Sequence, residues 1–370
     1  MTRKKIVGIL FGGKSAEHEV SLQSAKNVYE AIDRERYEPV LIGIDKSGRW
    51  LLNDASHFLL NPEDPKRISL NPSGVSTALI PASAGSLTNC AAPQSSLSAL
   101  GALPKLDAIF PILHGPFGED GTVQGLIKLA DLPFVGPGVL GSAAGMDKDV
   151  MKRLLRDAGI AIGKFLAVRS SDALPSFDQV TKTLGLPLFI KPANMGSSVG
   201  ISKVHNEAEY RPAVDEAFQF DTKIIIEEFI SGRELECAVL GNENPAASVP
   251  GEVIPCHEFY SYDAKYLDEN GARLDIPAKL PEQTVKRVQE LAIQTFKALC
   301  CEGLSRVDFF LRKDGELLVN EINTMPGFTK ISMYPKLWEA SGISYTALIS
   351  KLIELAFERY AKEKSLKTSF

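Results

Sequence analysis

The chain has 370 residues, of which 44% are hydrophobic and 24% are charged. This balance is typical of a folded globular chain and excludes collagen-like, disordered and membrane-embedded classes. The formal net charge is -5, from 41 basic and 46 acidic residues, so there is no broad cationic field, which argues against nucleic acid as the main partner.

The cysteines and the N-terminal apolar stretch indicate where the chain acts. The five cysteines are odd in number and lack the CxxC spacing of metal sites; they are Cys90, Cys237, Cys256, Cys300 and Cys301. We therefore expect reduced thiols and a cytoplasmic location. The stretch Ile6–Phe11 ends at Gly12 and is too short for a signal-peptide core or a membrane span, so we expect neither export nor a membrane partner.

The first part of the chain has the pattern of a doubly wound parallel sheet. Lys5–Phe11 and Pro39–Ile44 flank apolar residues at helical spacing, which predicts a βαβ unit. Asp107–Leu113 predicts another buried strand, followed by a helix. The stretch 53–103 is rich in Ser, Pro, Ala and Asn and predicts loops and a short edge hairpin rather than core. We predict a Rossmann-like domain over 1–138.

The next segment, 139–230, is predicted to form an α+β lobe. Asp147 is the expected N-cap of a helix whose apolar face includes Leu154. Short strands are predicted at Leu186–Lys191 and Lys223–Phe229, on either side of a glycine-rich loop.

A second α+β lobe is predicted over 231–370. Strands are expected at Glu234–Leu240, Ser305–Leu311 and Glu316–Glu321, and a last helix begins near Tyr345. Another helix is predicted by one apolar face, formed by Val285, Val288, Leu291, Ala292, Phe296 and Leu299.

The most informative polar cluster lies on the last two predicted strands. Arg306 and Asp308 share one face because side chains alternate along a strand, and Glu321 and Asn323 do so for the same reason. Such hard oxygen ligands suit Mg2+, and a guanidinium beside them can clamp a phosphoryl group. The alternative is an ordinary sheet face with an ion pair. The following turn favours the functional interpretation, because Gly327 lets a backbone N–H approach a ligand.

A second candidate is Lys191 with the glycine-rich loop Asn194–Gly200 that follows it. A lysine at a strand end and hydroxyl-bearing residues in the loop can fold over phosphates. The loop is neither a P-loop nor a dinucleotide fingerprint. Considered alone, the loop favours a flexible hairpin tip over a phosphate-binding loop.

Two further loops follow predicted strands of the first domain. At the first strand-to-helix junction, amide N–H groups and Glu17 together suit a zwitterion such as an amino acid, although a Glu in a first helical turn also compensates the helix dipole. The loop His114–Gly121 ends a strand at the carboxyl edge, where α/β sheets bind ligands.

Seven short motifs occur in one order along the chain: FGGKSAEHEVS, LHGPFGEDG, GMDK, KPANMGSSVG, AKY, RVDFF and NEINTMPGFT. On these motifs the chain resembles the D-alanine:D-alanine ligase family of the ATP-grasp superfamily, from near residue 5 to about residue 355. The resemblance implies an α/β and α+β architecture, in which a doubly wound N-terminal domain is joined to two α+β lobes that grip ATP.

The resemblance implies the ATP-dependent ligation of two D-alanines to D-alanyl-D-alanine for peptidoglycan precursor synthesis, with release of ADP and phosphate. In this family ATP phosphorylates the carboxylate of the first D-alanine, and the amine of the second attacks the acyl phosphate. The implied ATP-binding residues are Lys148 and Lys191 for the phosphates, Glu227, Glu228 and Ile230 for adenine, and Glu234 for ribose. The implied ligands of two Mg2+ ions, with Mn2+ as a possible substitute, are Asp308, Glu321 and Asn323.

The resemblance also implies the residues that act on the amino acids. Arg306 and the backbone N–H of Gly327 correspond to the groups that stabilise the acyl phosphate and the oxyanion. Glu17 corresponds to the residue that engages the ammonium group of the first D-alanine, and it belongs to a hydrogen-bonded triad with Ser197 and Tyr266. Those that hold the second carboxylate are Lys265 and Ser332. His114 corresponds to a residue near the first D-alanine, with a structural histidine as the equal alternative.

The sequence disfavours three other functions. A depsipeptide ligase on the same fold is disfavoured by Tyr266, since relatives that make D-alanyl-D-lactate commonly carry another residue there. A catalytically silent nucleotide-binding module is disfavoured because the site residues are all chemically competent. A dehydrogenase is disfavoured by the missing GxGxxG. The family's usual arrangement is a homodimer, which the resemblance implies here.

Overall fold

The computed structural model describes residues 3–90, 103–255 and 272–367. The N-terminal part contains helices α1 and α2 and strands β1 to β8. The helices are α1 His18–Ala31 and α2 Thr122–Leu129. The strands are β1 Lys5–Gly12, β2 Tyr37–Ile44, β3 Trp50–Asn53, β4 Leu59–Leu60, β5 Ser69–Leu70, β6 Val75–Leu79, β7 Leu87–Asn89 and β8 Ala108–Ile112.

Six of these strands form one sheet in the order β7-β6-β3-β2-β1-β8. β1 pairs in parallel with β2 and with β8, as predicted for a doubly wound domain. β3, β6 and β7 extend this sheet in antiparallel fashion, and β6 with β7 is the predicted edge hairpin. The expectation that the stretch 53–103 contributes no core is wrong for Phe58, Leu59 and Ile68, which are buried. The ring of Phe58 packs edge-on against Phe11, so this segment covers one face of the parallel sheet.

Two helices lead out of the first domain, α3 Val139–Met146 and α4 Lys148–Asp157. Asp147 caps α4 as predicted, because its Oδ1 accepts a hydrogen bond from the N–H of Val150 at 3.0 Å. The predicted apolar face of α4 is partly wrong. Leu154 is 39% exposed, whereas the side chain of Lys152 is only 2% exposed. The side chain of Lys152 points inward because its ammonium group pairs with the buried carboxylate of Glu227.

The central lobe is built on a four-stranded antiparallel sheet with order β11-β10-β12-β9. Its strands are β9 Phe165–Arg169, β10 Leu188–Pro192, β11 Ser202–Val204 and β12 Lys223–Glu228. Its helices are α5 Phe177–Leu184 and α6 Glu207–Ala217. Asp221 anchors the start of the glycine-rich loop, since its Oδ2 accepts hydrogen bonds from the backbone N–H and side-chain amide of Asn194 at 2.8 and 2.9 Å.

The C-terminal lobe carries a second antiparallel sheet of order β16-β15-β13-β17-β18, with β14 paired to β13. Its strands are β13 Gly232–Gly241, β14 Ala246–Ala247, β15 Gly251–Pro255, β16 Ala272–Asp275, β17 Gly303–Arg312 and β18 Leu317–Asn323. Its helices are α7 Glu282–Ala298, α8 Met333–Ala340 and α9 Tyr345–Lys364. The predicted apolar face of α7 is buried at Val288, Leu291, Ala292, Phe296 and Leu299.

The first domain and the C-terminal lobe share one hydrophobic cluster, in which Val7 and Phe110 join Leu240, Tyr334 and Leu352. The central lobe has a separate cluster of its own. Burial of apolar surface therefore joins the first domain to the C-terminal lobe, and a further cluster joins Met151 and Leu155 of α4 to that same lobe. The domain boundaries at 138 and 230 stay predictions.

The described cysteines Cys90, Cys237, Cys300 and Cys301 form no disulfide, and Cys256 lies outside the described residues. Among the helices that the structure describes, none combines the length and apolar composition needed to cross a membrane.

Candidate active site

A cavity of about 750 Å³ lies where the first domain meets the two lobes. It adjoins a smaller cavity of about 180 Å³, and Lys148, Ser197, Glu234 and Glu321 line both. We call the part around Arg306 the reaction end and the smaller cavity the nucleotide end. The two ends form one continuous cleft.

The reaction end is a row of acidic side chains on three neighbouring strands. Glu236, Asp308 and Glu321 lie side by side in the register of β13, β17 and β18. Arg306 donates from Nε and Nη2 to the two carboxylate oxygens of Asp308, both at 2.7 Å. The same Nε lies 2.9 Å from Oε2 of Glu236. One guanidinium thus pairs with two carboxylates, and a third carboxylate, that of Glu321, lies beside Asp308 and 3.8 Å from Nζ of Lys148.

A β-bulge shapes this row. Asp308 lies opposite Glu321, whereas the next residue, Phe309, lies opposite Val319. Asn320 is therefore an extra residue, and both it and Glu321 line the cavity. The bulge places two successive polar side chains on the cleft, which strict alternation does not allow.

The end of β18 supplies an oxygen that fits a metal ion. The side-chain Oδ1 of Asn323 is buried and has no hydrogen-bond partner among the described residues. No group of three or more His, Cys, Asp or Glu side chains in the described part of the chain is arranged as a metal site. Asp308, Glu321 and Asn323 nevertheless fit Mg2+, because this ion takes one or two carboxylates and completes its shell with water and phosphate oxygens.

The turn after β18 places Gly327 on the cavity wall. A Cβ atom at this position would lie 2.8 Å from Oγ of Ser332, so only glycine fits without displacing that hydroxyl. Oγ of Ser332 in turn accepts a hydrogen bond from the N–H of Thr329 at 3.0 Å. Ser332 and Gly327 therefore face the cavity side by side.

Glu17 reaches the cleft from the first domain and meets the glycine-rich loop. The hydroxyl of Ser197 donates a hydrogen bond to Oε1 of Glu17. A Cβ atom on Gly115 would lie 2.6 Å from Oε2 of Glu17, and one on Gly196 would lie 3.2 Å from it. Two glycines thus let two loops close on one carboxylate. Lys265 and Tyr266, predicted to act beside it, lie outside the described residues.

His114 and Glu119 are buried in the wall behind Glu17. Burial lowers the pKa of His114 to about 4, against a weaker opposing effect of its hydrogen bond to the Met325 carbonyl. Burial and the nearby charge of Glu17 raise the pKa of Glu119, although two backbone N–H groups and Lys148 oppose this. His114 is therefore neutral at physiological pH.

The nucleotide end contains buried lysines around one carboxylate. Lys191 and Lys152 both pair with Glu227, the latter at 2.8 Å between Nζ and Oε1. Burial alone would raise the pKa of Glu227, but the two lysines lower it to about 2. Nζ of Lys148 donates to the carbonyl of Met195 at 2.6 Å, and burial lowers its pKa. This concentration of cations suits phosphate oxygens.

An apolar slot lies beside these lysines. Phe189, Phe229 and Ile230 line it, which suits a flat aromatic base. Glu228 holds the slot's entrance, because its Oε1 accepts from the N–H of Lys164 at 2.8 Å and lies 3.2 Å from Nη2 of Arg312.

Two family models match most of the chain on either side of residues 138–153. The model for the D-ala D-ala ligase N-terminus matches residues 6–137, and that for the D-ala D-ala ligase C-terminus matches residues 154–354. The chain belongs to the D-alanine–D-alanine ligase family. The residues predicted from the motifs and described by the structure therefore lie together in the cleft of a ligase of this family.

Curated relatives match along nearly the full length. The chain is 59% identical to a D-alanine–D-alanine ligase of Oceanobacillus iheyensis over 367 residues, which covers 99% of both chains. It is 56% identical to D-alanine–D-alanine ligase A of Salmonella typhimurium over 365 residues, which covers 98% of both chains.

Solved structures of ligases are also similar. The D-alanine–D-alanine ligase of Coxiella burnetii superposes with a TM-score of 0.85 at 38% identity and covers 98% of this chain and 97% of its own. The VanG D-Ala:D-Ser ligase of Enterococcus faecalis gives a TM-score of 0.82 at 36% identity and covers 96% of this chain and all of its own. These neighbours confirm the ATP-grasp architecture predicted for this ligase family member.

The motifs assign no role to two buried charged residues of this ligase cleft, Glu119 and Lys152, or to the half-buried Glu236. Each left a signal in the sequence. Lys152 follows Lys148 by four residues and so shares its helix face, and Glu236 follows Glu234 by two residues within an apolar strand. Glu119 belongs to the HGPFGEDG motif, which by itself predicts only a ligand-binding loop.

Proposed function

We propose that this protein joins two molecules of D-alanine to D-alanyl-D-alanine at the expense of ATP, with release of ADP and phosphate, for synthesis of the cell-wall precursor. Membership of the ligase family supports this reaction. The observation that carries the proposal is the single cleft, in which a lysine-rich nucleotide end opens onto the reaction end around Arg306.

ATP binds at the nucleotide end. Its adenine lies in the apolar slot beside Glu227, Glu228 and Ile230, and Glu234 contacts the ribose. Lys148 and Lys191 hold the phosphates. Lys191 exchanges its pairing with Glu227 for a phosphate oxygen, while Lys152 stays with Glu227 and keeps that buried carboxylate neutralised.

Asp308, Glu321 and Asn323 are proposed to hold two Mg2+ ions, with Mn2+ as a substitute. When bound, the ions neutralise charge on the transferring phosphoryl group. The orphaned Oδ1 of Asn323 supports this assignment.

The amino acids bind at the reaction end. Glu17 binds the ammonium group of the first D-alanine, assisted by Ser197 and Tyr266, with His114 nearby. Lys265 and Ser332 bind the carboxylate of the second.

The proposed reaction proceeds in two steps. A carboxylate oxygen of the first D-alanine attacks the γ-phosphorus of ATP and ADP leaves. The amine of the second D-alanine then attacks the carbonyl carbon, and the tetrahedral intermediate expels phosphate and a proton as the amide forms. Arg306 and the N–H of Gly327 stabilise the negative charge on oxygen, which is greatest in the transition states.

The surrounding organisation is also proposed. The three units are 1–138, 139–230 and 231–370, the protein acts in the cytoplasm as its reduced cysteines indicate, and it assembles as a homodimer.

Phosphate release from Mg-ATP tests the function. Purified protein is incubated with D-alanine, L-alanine, D-alanine with D-lactate, D-alanine with D-serine, or no acceptor, and the products are identified by mass. We expect release with D-alanine alone, yielding the dipeptide. ATP binding without D-alanine-dependent release would contradict the proposal and favour the silent module, and a mixed product made in preference to the dipeptide would identify a different ligase.

A further inference from the structure

The turn that carries Gly327 is bound by side chains of the first domain. The N–H of Met325 donates to Oε1 of Glu119 at 3.2 Å, and the carbonyl of Met325 accepts from Nδ1 of His114 at 2.9 Å. Both polar groups of one residue, two positions before Gly327, are therefore held from across the domain boundary.

The residue after Gly327 is held in the same way. The N–H of Phe328 donates to Oγ of Ser24 at 3.1 Å, and its carbonyl accepts from Nδ2 of Asn27 at 3.2 Å. Tyr345 of the C-terminal lobe donates to the same carbonyl at 2.7 Å. Side chains of helix α1 thus fix the far side of the turn.

Glu119 joins this turn to a loop of its own domain. Its second oxygen, Oε2, accepts from the N–H of Gly115 at 2.6 Å. Because a carbonyl oxygen only accepts, the bond to Met325 requires the proton of His114 on Nδ1, and Nε2 then lies 3.5 Å from Oγ of Ser24. Glu119 and His114 are 8% and 4% exposed, so water does not compete for these bonds.

We propose that Glu119 and His114 are positioning residues that hold the turn 324–328 and thereby fix the N–H of Gly327 for the developing oxyanion. This inference rests on the proposed function. A fixed donor stabilises the transition state only if it needs no reorganisation when charge develops. The first domain therefore positions a backbone donor that, like Arg306, belongs to the C-terminal lobe.

The positioning role predicts a particular kinetic signature. The oxyanion does not exist in the bound ground state, so a loosened turn lowers kcat and leaves the KM values for ATP and D-alanine nearly unchanged. A purely structural role would instead lower thermal stability with no selective effect on kcat. A direct contact of His114 with D-alanine would raise its KM.

The Glu119→Gln variant of the full chain tests the proposal. The amide keeps the shape and one acceptor oxygen, but it turns an NH2 group toward one of the two N–H donors and breaks one bond. We expect kcat to fall about 10- to 100-fold with both KM values within about twofold. Ser24→Ala removes the acceptor for Phe328 and should give the same pattern to a smaller extent. The exposed Glu38→Gln is the matched control and should match the parent chain.

A binding measurement separates positioning from general destabilisation. A phosphinate dipeptide analogue, whose tetrahedral phosphorus replaces the carbon under attack, should lose affinity for both variants by the factor lost in kcat. The affinity for ADP should not change. Unchanged kcat in both variants, or equal losses of analogue and ADP affinity, would overturn the proposal. If Glu119→Gln does not fold, Ser24→Ala decides by the same criteria, whereas absent D-alanine-dependent phosphate release by the parent chain would refute the proposed function instead.

Discussion

The two ends of the cleft handle buried charge in opposite ways. At the nucleotide end, three lysines surround the single buried carboxylate of Glu227, and an apolar slot adjoins them. At the reaction end, Arg306 pairs with Glu236 and Asp308, and Glu321 lies beside Asp308 on the next strand. A buried charge is costly in free energy unless it is paired with an opposite charge. We therefore expect the nucleotide end to bind an anionic group and the reaction end to bind cations.

This difference separates binding from catalysis. In the proposed function, the cationic end binds the phosphates of the nucleotide, whose charge is present from the moment of binding. The anionic end then binds cations, and its guanidinium stabilises the charge that develops during the reaction. Variants at the two ends should therefore affect different kinetic constants.

The largest effect is expected at Arg306. Arg306→Met removes the guanidinium and its pairing with Asp308 and Glu236, so kcat should fall at least about 10²- to 10³-fold with a smaller change in the KM for ATP. Steady-state phosphate release checks this. Arg211→Met removes an exposed arginine on α6 and should have parent activity. A tenfold rise in the KM for ATP with unchanged kcat would place Arg306 in nucleotide binding instead.

A metal-dependent effect should follow at Asn323. Asn323→Ala removes the buried Oδ1, which has no hydrogen-bond partner among the described residues. The Mg2+ concentration needed for half-maximal activity should therefore rise at least about tenfold. A magnesium titration at saturating substrates measures it. The exposed Asn244→Ala should titrate like the parent chain. An unshifted midpoint for Asn323→Ala would remove this side chain from the metal site.

At the nucleotide end, Lys152→Met should raise the KM for ATP about tenfold with little change in kcat, because Glu227 would then compete with the phosphates for Lys191. Kinetics over a range of ATP concentrations measure this. Lys182→Met, an exposed position on α5, is the control. Loss of kcat without a change in KM would contradict the division between the two ends.

The smallest effect concerns stability at acid pH. The folded chain holds the pKa of His114 near 4, below its ordinary 6.5, so the unfolded chain takes up a proton first as the pH falls. Stability from this residue is complete above pH 6.5 and is lost toward pH 4, by on the order of 3 kcal/mol. His114→Gln should flatten the pH dependence of the unfolding free energy in this window, whereas the exposed His205→Gln should not. Equal slopes for His114→Gln and the parent chain would contradict a buried neutral imidazole.

The sequence predicted the reaction end better than its surroundings. Strand alternation places Arg306 with Asp308, and Glu321 with Asn323, and these pairs need only local geometry. The bulge at Asn320 could not be predicted, because it depends on how two strands pair.

The buried charged side chains are the main feature that the sequence patterns do not predict. The sequence does not predict Lys152 on the buried face of α4, because lysine is rarely buried, and only its partner Glu227, on a distant strand, explains its position. The hydrogen bond from the N–H of Met325 to Glu119 joins residues more than two hundred positions apart, so no local sequence pattern predicts it. The position of each of these side chains depends on a partner far away in the sequence and not on local structural propensity.

Isotope labelling of the carboxylate oxygens tests the proposed reaction most directly. D-alanine labelled with 18O in both carboxylate oxygens is incubated with Mg-ATP, and the released phosphate is analysed by mass. Because a carboxylate oxygen attacks the γ-phosphorus and leaves with it, each phosphate should carry one 18O atom. Phosphate without label, released at the rate of dipeptide formation, would show that water or another group receives the phosphoryl group, and the roles assigned to Arg306 and Gly327 would be wrong.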